Sequence, residues 1–256
     1  MSRLGPAALA VLIVTLLALA AAPPARAQGP SGLPMPGGGT LPRLEEMVTQ
    51  YRELALRGEY GGAWRRGRII KWTGPIVAQL RGADVALYEL EVVEHLTLLA
   101  RLTGLRFKLV RTGVAAPTPN MVITFVHNRG RGPTNLEQVC SARVFSGPDY
   151  AIRRAEIVIH SDWRRVRRHC ILEELSQALG LMNDSAYLSP SIFNDESKQQ
   201  RLSPWDELVI RAHYDRRLLP GMNWATAEPI VRDHLARRLA VPAASPRARQ
   251  KRRRRR

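Results

Sequence analysis

The run Glu173-Glu174-Leu175-Ser176-Gln177-Ala178-Leu179-Gly180-Leu181-Met182-Asn183-Asp184 gathers more side chains able to do chemistry than any other stretch of the sequence. On a helix, positions i and i+4 share a face, so Glu173 and Gln177 project together with Glu174 beside them. Gly180 can take a positive φ, end that helix and turn Asn183 back toward the same face. Glu173, Gln177, Asn183 and Asp184 are thus the candidate cleft residues, and Glu174 is the candidate catalytic one. Carboxylates in pairs, Glu173 with Glu174 or Glu174 with Asp184, can serve as acid and base in hydrolysis, including that of a glycosidic bond. Neighbouring helical positions diverge by about 100°, which argues against Glu173 and Glu174 both facing one substrate. The alternative chemistry is none at all. Gln177 and Asn183 each donate and accept, so they can satisfy Glu173 or Asp184 in a buried network without an ion.

The spacing resembles that of the metzincins, zinc proteases with the motif His-Glu-x-x-His-x-x-Gly-x-x-His followed by a Met-turn. Glu174 matches the catalytic glutamate and Gly180 the glycine, while Glu173, Gln177 and Asn183 stand at the three histidine positions. Ser191-Ile192-Phe193 is similar to the Met-turn with Phe193 in place of methionine, and Leu202 to Asp206 through Tyr214-Asp215 resembles the helix that follows it. The likeness covers most of Arg68 to Met222. It implies an α+β zincin-like fold of the metzincin type: a mixed sheet of four or five strands, one long backing helix and a motif helix beneath a cleft. The segments Glu-Glu-x-x-Gln-x-Leu-Gly-Leu-x-Asn-Asp, Ser-Ile-Phe-Asn-Asp and Pro-Gly-Met further resemble a bacterial family known only as domain of unknown function 2927, which brings no activity with it.

Zinc chemistry does not come with the resemblance. Zinc at a catalytic site prefers three imidazole, thiolate or similar ligands and a water. Carboxylates and neutral amides are hard oxygen donors suited, weakly, to calcium or magnesium. No metal and no cofactor are expected, and the motif argues against an enzyme. His169 lies four residues before Glu173 and could bring an imidazole to its face. Its neighbour Cys170 would, if disulfide-bonded, fix it away from the cleft. His95, His127, His160, His213 and His234 have no ligand spacing.

The elements that must position the motif follow from periodicity. Leu41 to Leu56 reads as an amphipathic helix stopped by Gly58. Arg68 to Trp72 and Pro75 to Leu80 read as strands closed by Gly82. Asp84 is a suitable N-cap for a long helix to Leu102, with Gly104 past its end and Val85, Tyr88, Val92, Leu96 and Leu99 as its buried stripe. Leu105 to Arg111 and Met121 to His127 are strands expected in the middle of a sheet. Strand character recurs at Ala142 to Phe145 and is strong at Ala155 to His160. The motif helix starts between Trp163 and His169 and ends at Gly180. Helices at Pro204 to Tyr214 and Trp224 to Leu239 close the body.

Around this body, residues 41–239, the ends read differently. Met1 to Ala27 has a short basic start, an apolar run of 14 residues from Leu9 to Ala22 and a small-x-small site. A cleavable signal peptide cut after Ala27 fits it, since a membrane-spanning helix takes roughly 20 residues. A periplasmic or secreted location is therefore expected. Residues 28–40 form a Gly- and Pro-rich leader. Residues 240–256 form a disordered basic tail with Arg247, Arg249, Lys251, Arg252, Arg253, Arg254, Arg255 and Arg256. Two basic residues in the first 27 and eight in the tail, with no acid in either, leave about +7 of the formal +17 to the remainder. Such a tail suits an anionic envelope polymer or lipid surface, and an exported chain is not expected to meet nucleic acid. Arg153, Arg154, Arg164, Arg165, Arg167 and Arg168 add a basic surface near the motif. Cys140 and Cys170, the two cysteines of the sequence, are expected to form a disulfide worth roughly 3 to 4 kcal/mol. Together these features point to an exported, non-catalytic binding or structural protein of the envelope. The competing expectation is a hydrolase with Glu174 as general base.

Overall fold

In the computed structural model the described residues are 42–57, 67–82, 85–111, 117–127, 140–161, 164–185, 190–194 and 197–240. The expected signal peptide, leader and basic tail, the Asp84 cap and Gly58 lie outside them. Ten elements run in the order α1 (Leu44–Leu56), β1 (Ile76–Gly82), α2 (Val85–Thr103), β2 (Phe107–Val110), β3 (Met121–Val126), β4 (Cys140–Ser146), β5 (Ile152–His160), α3 (Arg164–Gln177), α4 (Pro204–His213) and α5 (Trp224–Ala240). No helix among them is long and apolar enough to cross a membrane.

The strands form one mixed sheet ordered β2-β1-β3-β5-β4. β2, β1, β3 and β5 are parallel, and β4 pairs with β5 antiparallel through a tight turn. A pleated strand sends alternate side chains to opposite faces. Met121, Ile123 and Phe125 of β3 and Ala155, Ile157 and Ile159 of β5 are therefore buried beneath the helices. Their alternates Val122, Thr124, Glu156 and Val158 are half-buried on the far side. Each large side chain buried this way contributes about 1.5–3 kcal/mol.

The long helix α2 lies against β1, β2, α3 and α4. Its expected stripe holds: Tyr88, Val92, Leu96 and Leu99 are buried and Val85 is half-buried. Tyr88 meets Phe125 with ring centroids 4.8 Å apart, and the Arg167 guanidinium of α3 covers its other side at 4.1 Å. The histidine of this helix is structural. His95 Nε2–H donates to the Leu172 carbonyl at 3.1 Å and lies 3.2 Å from Ser176 Oγ, tying α2 to α3.

Two expectations about the sheet are corrected. Leu105 to Arg111 supplies β2, but at the edge of the sheet, because β1 pairs on one side with β2 and on the other with β3. Its exposed Lys108 is what an edge strand tolerates. Arg68 to Trp72 is no strand; it makes only isolated bridges from Arg68 to Asn223 and from Lys71 to Ala151. Helix ends claim this segment instead. Lys71 Nζ donates to the carbonyls of His213 and Leu218, both at 2.9 Å, where the α4 terminus leaves acceptors unpaired. Burial holds the Lys71 amine down to about 8, partly countered by the charge of Asp215. Trp72 Nε1–H donates to the Ala178 carbonyl at 2.9 Å at the end of α3.

Candidate functional site

Helix α3 carries His169, Cys170, Glu173, Glu174 and Gln177, and its entrance is pinned to the sheet. Cys140 at the start of β4 is bonded to Cys170, with Cα atoms 5.8 Å apart, as the cysteine pair suggests. Replacing Cys170 by Ser should lower stability by about 3 kcal/mol, since the unfolded chain then loses its 30-residue loop constraint. Denaturant unfolding with and without a thiol reductant checks this: the wild type should fall to the variant's level on reduction, and the variant should not respond.

The other end of α3 is set by Gly180. Ala178 N–H still bonds to the Glu174 carbonyl at 2.9 Å, then Gly180 N–H bonds to the Gln177 carbonyl at 2.8 Å and the chain leaves the helix with Gly180 at φ +113°. Beyond it, Ser185 N–H donates to the Phe193 carbonyl at 2.7 Å, so the stretch after the helix runs beside Ser191-Ile192-Phe193. That segment is buried and held by Asp206. The carboxylate accepts from Ser191 Oγ at 2.6 Å, from Ser203 N–H at 2.6 Å and from Ile192 N–H at 3.3 Å. Burial drives Asp206 up to about 6 against these hydrogen bonds. Asp206 is the main residue that motif reading passes over. Its signal is Ser203-Pro204-Trp205-Asp206, a capping box whose serine accepts from Asp206 N–H at 3.1 Å while the carboxylate returns to Ser203.

The candidate cleft residues take separate partners. Gln177 Nε2 donates to Asp184 Oδ1 at 2.6 Å. Asn183, expected to fold back to the helix face, spends its amide on the Asp184 carbonyl at 2.7 Å. Glu173 Oε2 lies 3.3 Å from His169 Nε2. The disulfide therefore does not fix His169 away from the motif, because the i to i+4 geometry of the helix sets its position relative to Glu173. Glu174 also comes closer to Glu173 than helical divergence suggests. One oxygen of each and Cys140 Sγ lie within 4.8 Å of one another, because long glutamate side chains bend to a common point.

The charge on His169 follows from its partners. Nδ1 faces the Gln199 carbonyl at 3.1 Å and Nε2 faces the Glu173 carboxylate, and both partners favour a proton on the nitrogen they meet. Burial opposes the charged ring, but the Glu173 hydrogen bond and charge, the Gln199 carbonyl and the charge of Asp206 outweigh it and hold His169 above its ordinary range. With Nδ1 turned to Gln199 and Nε2 to Glu173, neither ring nitrogen is open to a metal. Cys140 sulfur is bound in the disulfide and is no thiolate. Gln177 is turned to Asp184. The donors present do not fit the zinc that the metzincin resemblance would imply.

Fold and site together define a class: an α+β domain with a mixed five-stranded sheet, a long backing helix and a motif helix whose polar face is paired internally. The chain belongs to the family described as "Protein of unknown function (DUF2927)", whose model matches residues 44–233. A solved structure titled "Structure of myroilysin" is similar at 13% identity over 68% of this chain and 97% of that one, with a TM-score of 0.28, too slight a likeness to argue from. No curated protein matches the sequence.

Proposed function

We propose that this chain is an exported, non-catalytic binding protein of the cell envelope, in which a protease-type scaffold keeps its shape through hydrogen bonds where a metal site would be. One observation carries the reading: the motif helix presents no open set of ligands, since Glu173 is paired with His169 and Gln177 with Asp184. Glu173, Glu174 and Gln177 are each less than a tenth exposed. Export is supported by the signal-like start and by a disulfide that requires an oxidising compartment. The basic tail from Arg247 to Arg256 then serves as the contact to an anionic envelope polymer or lipid surface.

A hydrolase remains the competing reading because carboxylate oxygens of Glu173 and Glu174 lie within 4.8 Å of each other, near enough to act on one bond as acid and base. Elemental analysis of the purified protein, paired with Glu174→Gln, separates the two. The binding reading expects no stoichiometric transition metal and a variant destabilised by about 1–3 kcal/mol through its altered buried contacts. Stoichiometric zinc would overturn it. So would a hydrolytic activity that disappears in Glu174→Gln while the melting temperature stays unchanged.

A further inference from the structure

The face of the sheet turned away from α2 and α3 holds a groove of about 450 Å³. Val122, Thr124 and Val158 form its floor, half-buried residues that alternate with core positions on β3 and β5. The strand register fixes what surrounds them. Arg81 of β1 stands beside Thr124, Val122 stands beside Glu156, and Arg143 of the edge strand β4 stands beside Glu156 on its other side. Thr118 adds a hydroxyl at one end.

The charges on this face do not cancel. Arg154 is committed to Glu156 at 2.6 Å. Arg81 donates through Nε to the neutral Gln79 Oε1 at 2.6 Å and has no carboxylate partner among the described residues. Arg143 is exposed and has no carboxylate partner among the described residues. Two arginines with no carboxylate partner among the described residues therefore flank a shallow floor of methyl groups and hydroxyls, with Glu156 inside the cationic rim.

We propose that this groove binds an acidic saccharide. Arg81 takes the acid group of the sugar, since a guanidinium offers a planar fork to a carboxylate or phosphate. The apolar face of the ring rests on Val122 and Val158, and ring hydroxyls meet Thr124 and Glu156. The carboxylate decides the class. With its charge met by Arg154 it still accepts hydrogen bonds, which a sugar hydroxyl donates and an ionised polyphosphate cannot. A shallow floor gives an acyl chain little burial, and the groove volume suits a ligand of a few rings. The proposal rests on the binding reading and gives it a ligand class and a surface on the other face of the sheet from the motif helix.

The test is calorimetric titration of the full-length chain, at physiological ionic strength, with a trisaccharide of galacturonic acid and with the neutral galactose trisaccharide. Every protein compared keeps the tail. The acidic trisaccharide should bind, Arg81→Gln should weaken it at least tenfold, and Arg238→Gln, an exposed arginine on α5, should leave it within twofold. The neutral trisaccharide should bind at least tenfold more weakly. Absence of binding, equal affinity for the neutral sugar, or equal effects of Arg81→Gln and Arg238→Gln would each overturn the groove as the site. Shortening of the acidic trisaccharide by the wild type but not by Glu174→Gln would instead overturn the non-catalytic reading beneath it.

Discussion

Gly180→Ala is expected to cost about 2–6 kcal/mol, a large share of a domain's stability, and to lower the soluble yield, two costs adding at one position. Gly180 sits at φ +113°, a conformation that residues with a Cβ occupy only under strain of about 1–3 kcal/mol. The added methyl would also overlap the Ile70 carbonyl oxygen and crowd His213 Nε2 at 2.8 Å. Neither neighbour can give way. His213 Nε2–H donates to that same carbonyl at 2.9 Å, and Nδ1 accepts from Tyr51 OH at 2.9 Å. Overpacking a fixed site costs roughly a further 1–3 kcal/mol, against a typical total of 5–15. Gly74→Ala is the control, because nothing lies within 4 Å of its Cβ position and its φ is not positive. Soluble yield and urea unfolding of the two variants check the prediction. Equal stability of the pair would show that the close contact beneath the motif is absent in solution.

Acidification is expected to produce the second large effect. Burial holds His95 and His213 down to about 3, the Leu172 and Ile70 carbonyls opposing it only in part and Lys71 adding to it at His213. Both rings are thus neutral when folded but take a proton at ordinary pH when unfolded. A lowered folded value means that the stability is complete above about pH 6.5 and is lost as pH falls toward 3. Each histidine contributes on the order of several kcal/mol across that window. Asp206, raised to about 6, works in the other direction: its contribution is complete below about pH 4 and is lost as pH rises through 6. His169, also raised, reinforces Asp206 near neutrality. Two histidines outweigh one carboxylate, so the urea midpoint should fall from pH 6 to pH 4. His213→Gln keeps an amide donor for Ile70 and an acceptor for Tyr51 but cannot titrate, and its acid limb should be shallower. A midpoint that stays level or rises over this range would contradict the neutral, buried state of both rings.

Much of this architecture was legible because periodicity and burial are the same information. The stripe on α2, the central place of β3 and the Gly180 terminus all appear where the sequence suggests. β5 extends further than its apolar run, from Ile152 rather than Ala155, because pairing with β4 continues past the exposed Arg153 and Arg154 through a register shift at Phe145 and Ser146. Arg68 to Trp72 misleads for a physical reason: its β-type residues are used to satisfy helix ends, and no local pattern records which carbonyls will need a donor 106 or 142 residues away. The site was legible in its residues more than in its pairings. The i to i+4 spacing of His169 and Glu173 was visible, but the ion pair depends on Gln199, which lies 30 residues on from His169 and favours a proton on the nitrogen it meets.

The bridge between Cys140 and Cys170 also determines how the molecule carries mechanical load. Tension applied to the two ends travels through the sulfur atoms and bypasses everything between them, including the whole of β5. That strand can be sheared from its neighbours but never extended, and about 100 Å of contour length stays hidden until the covalent link is cut. A protein held by one end to an envelope would thus yield from α1 and α5 inward while β4, β5 and the entrance of α3 remain a closed ring.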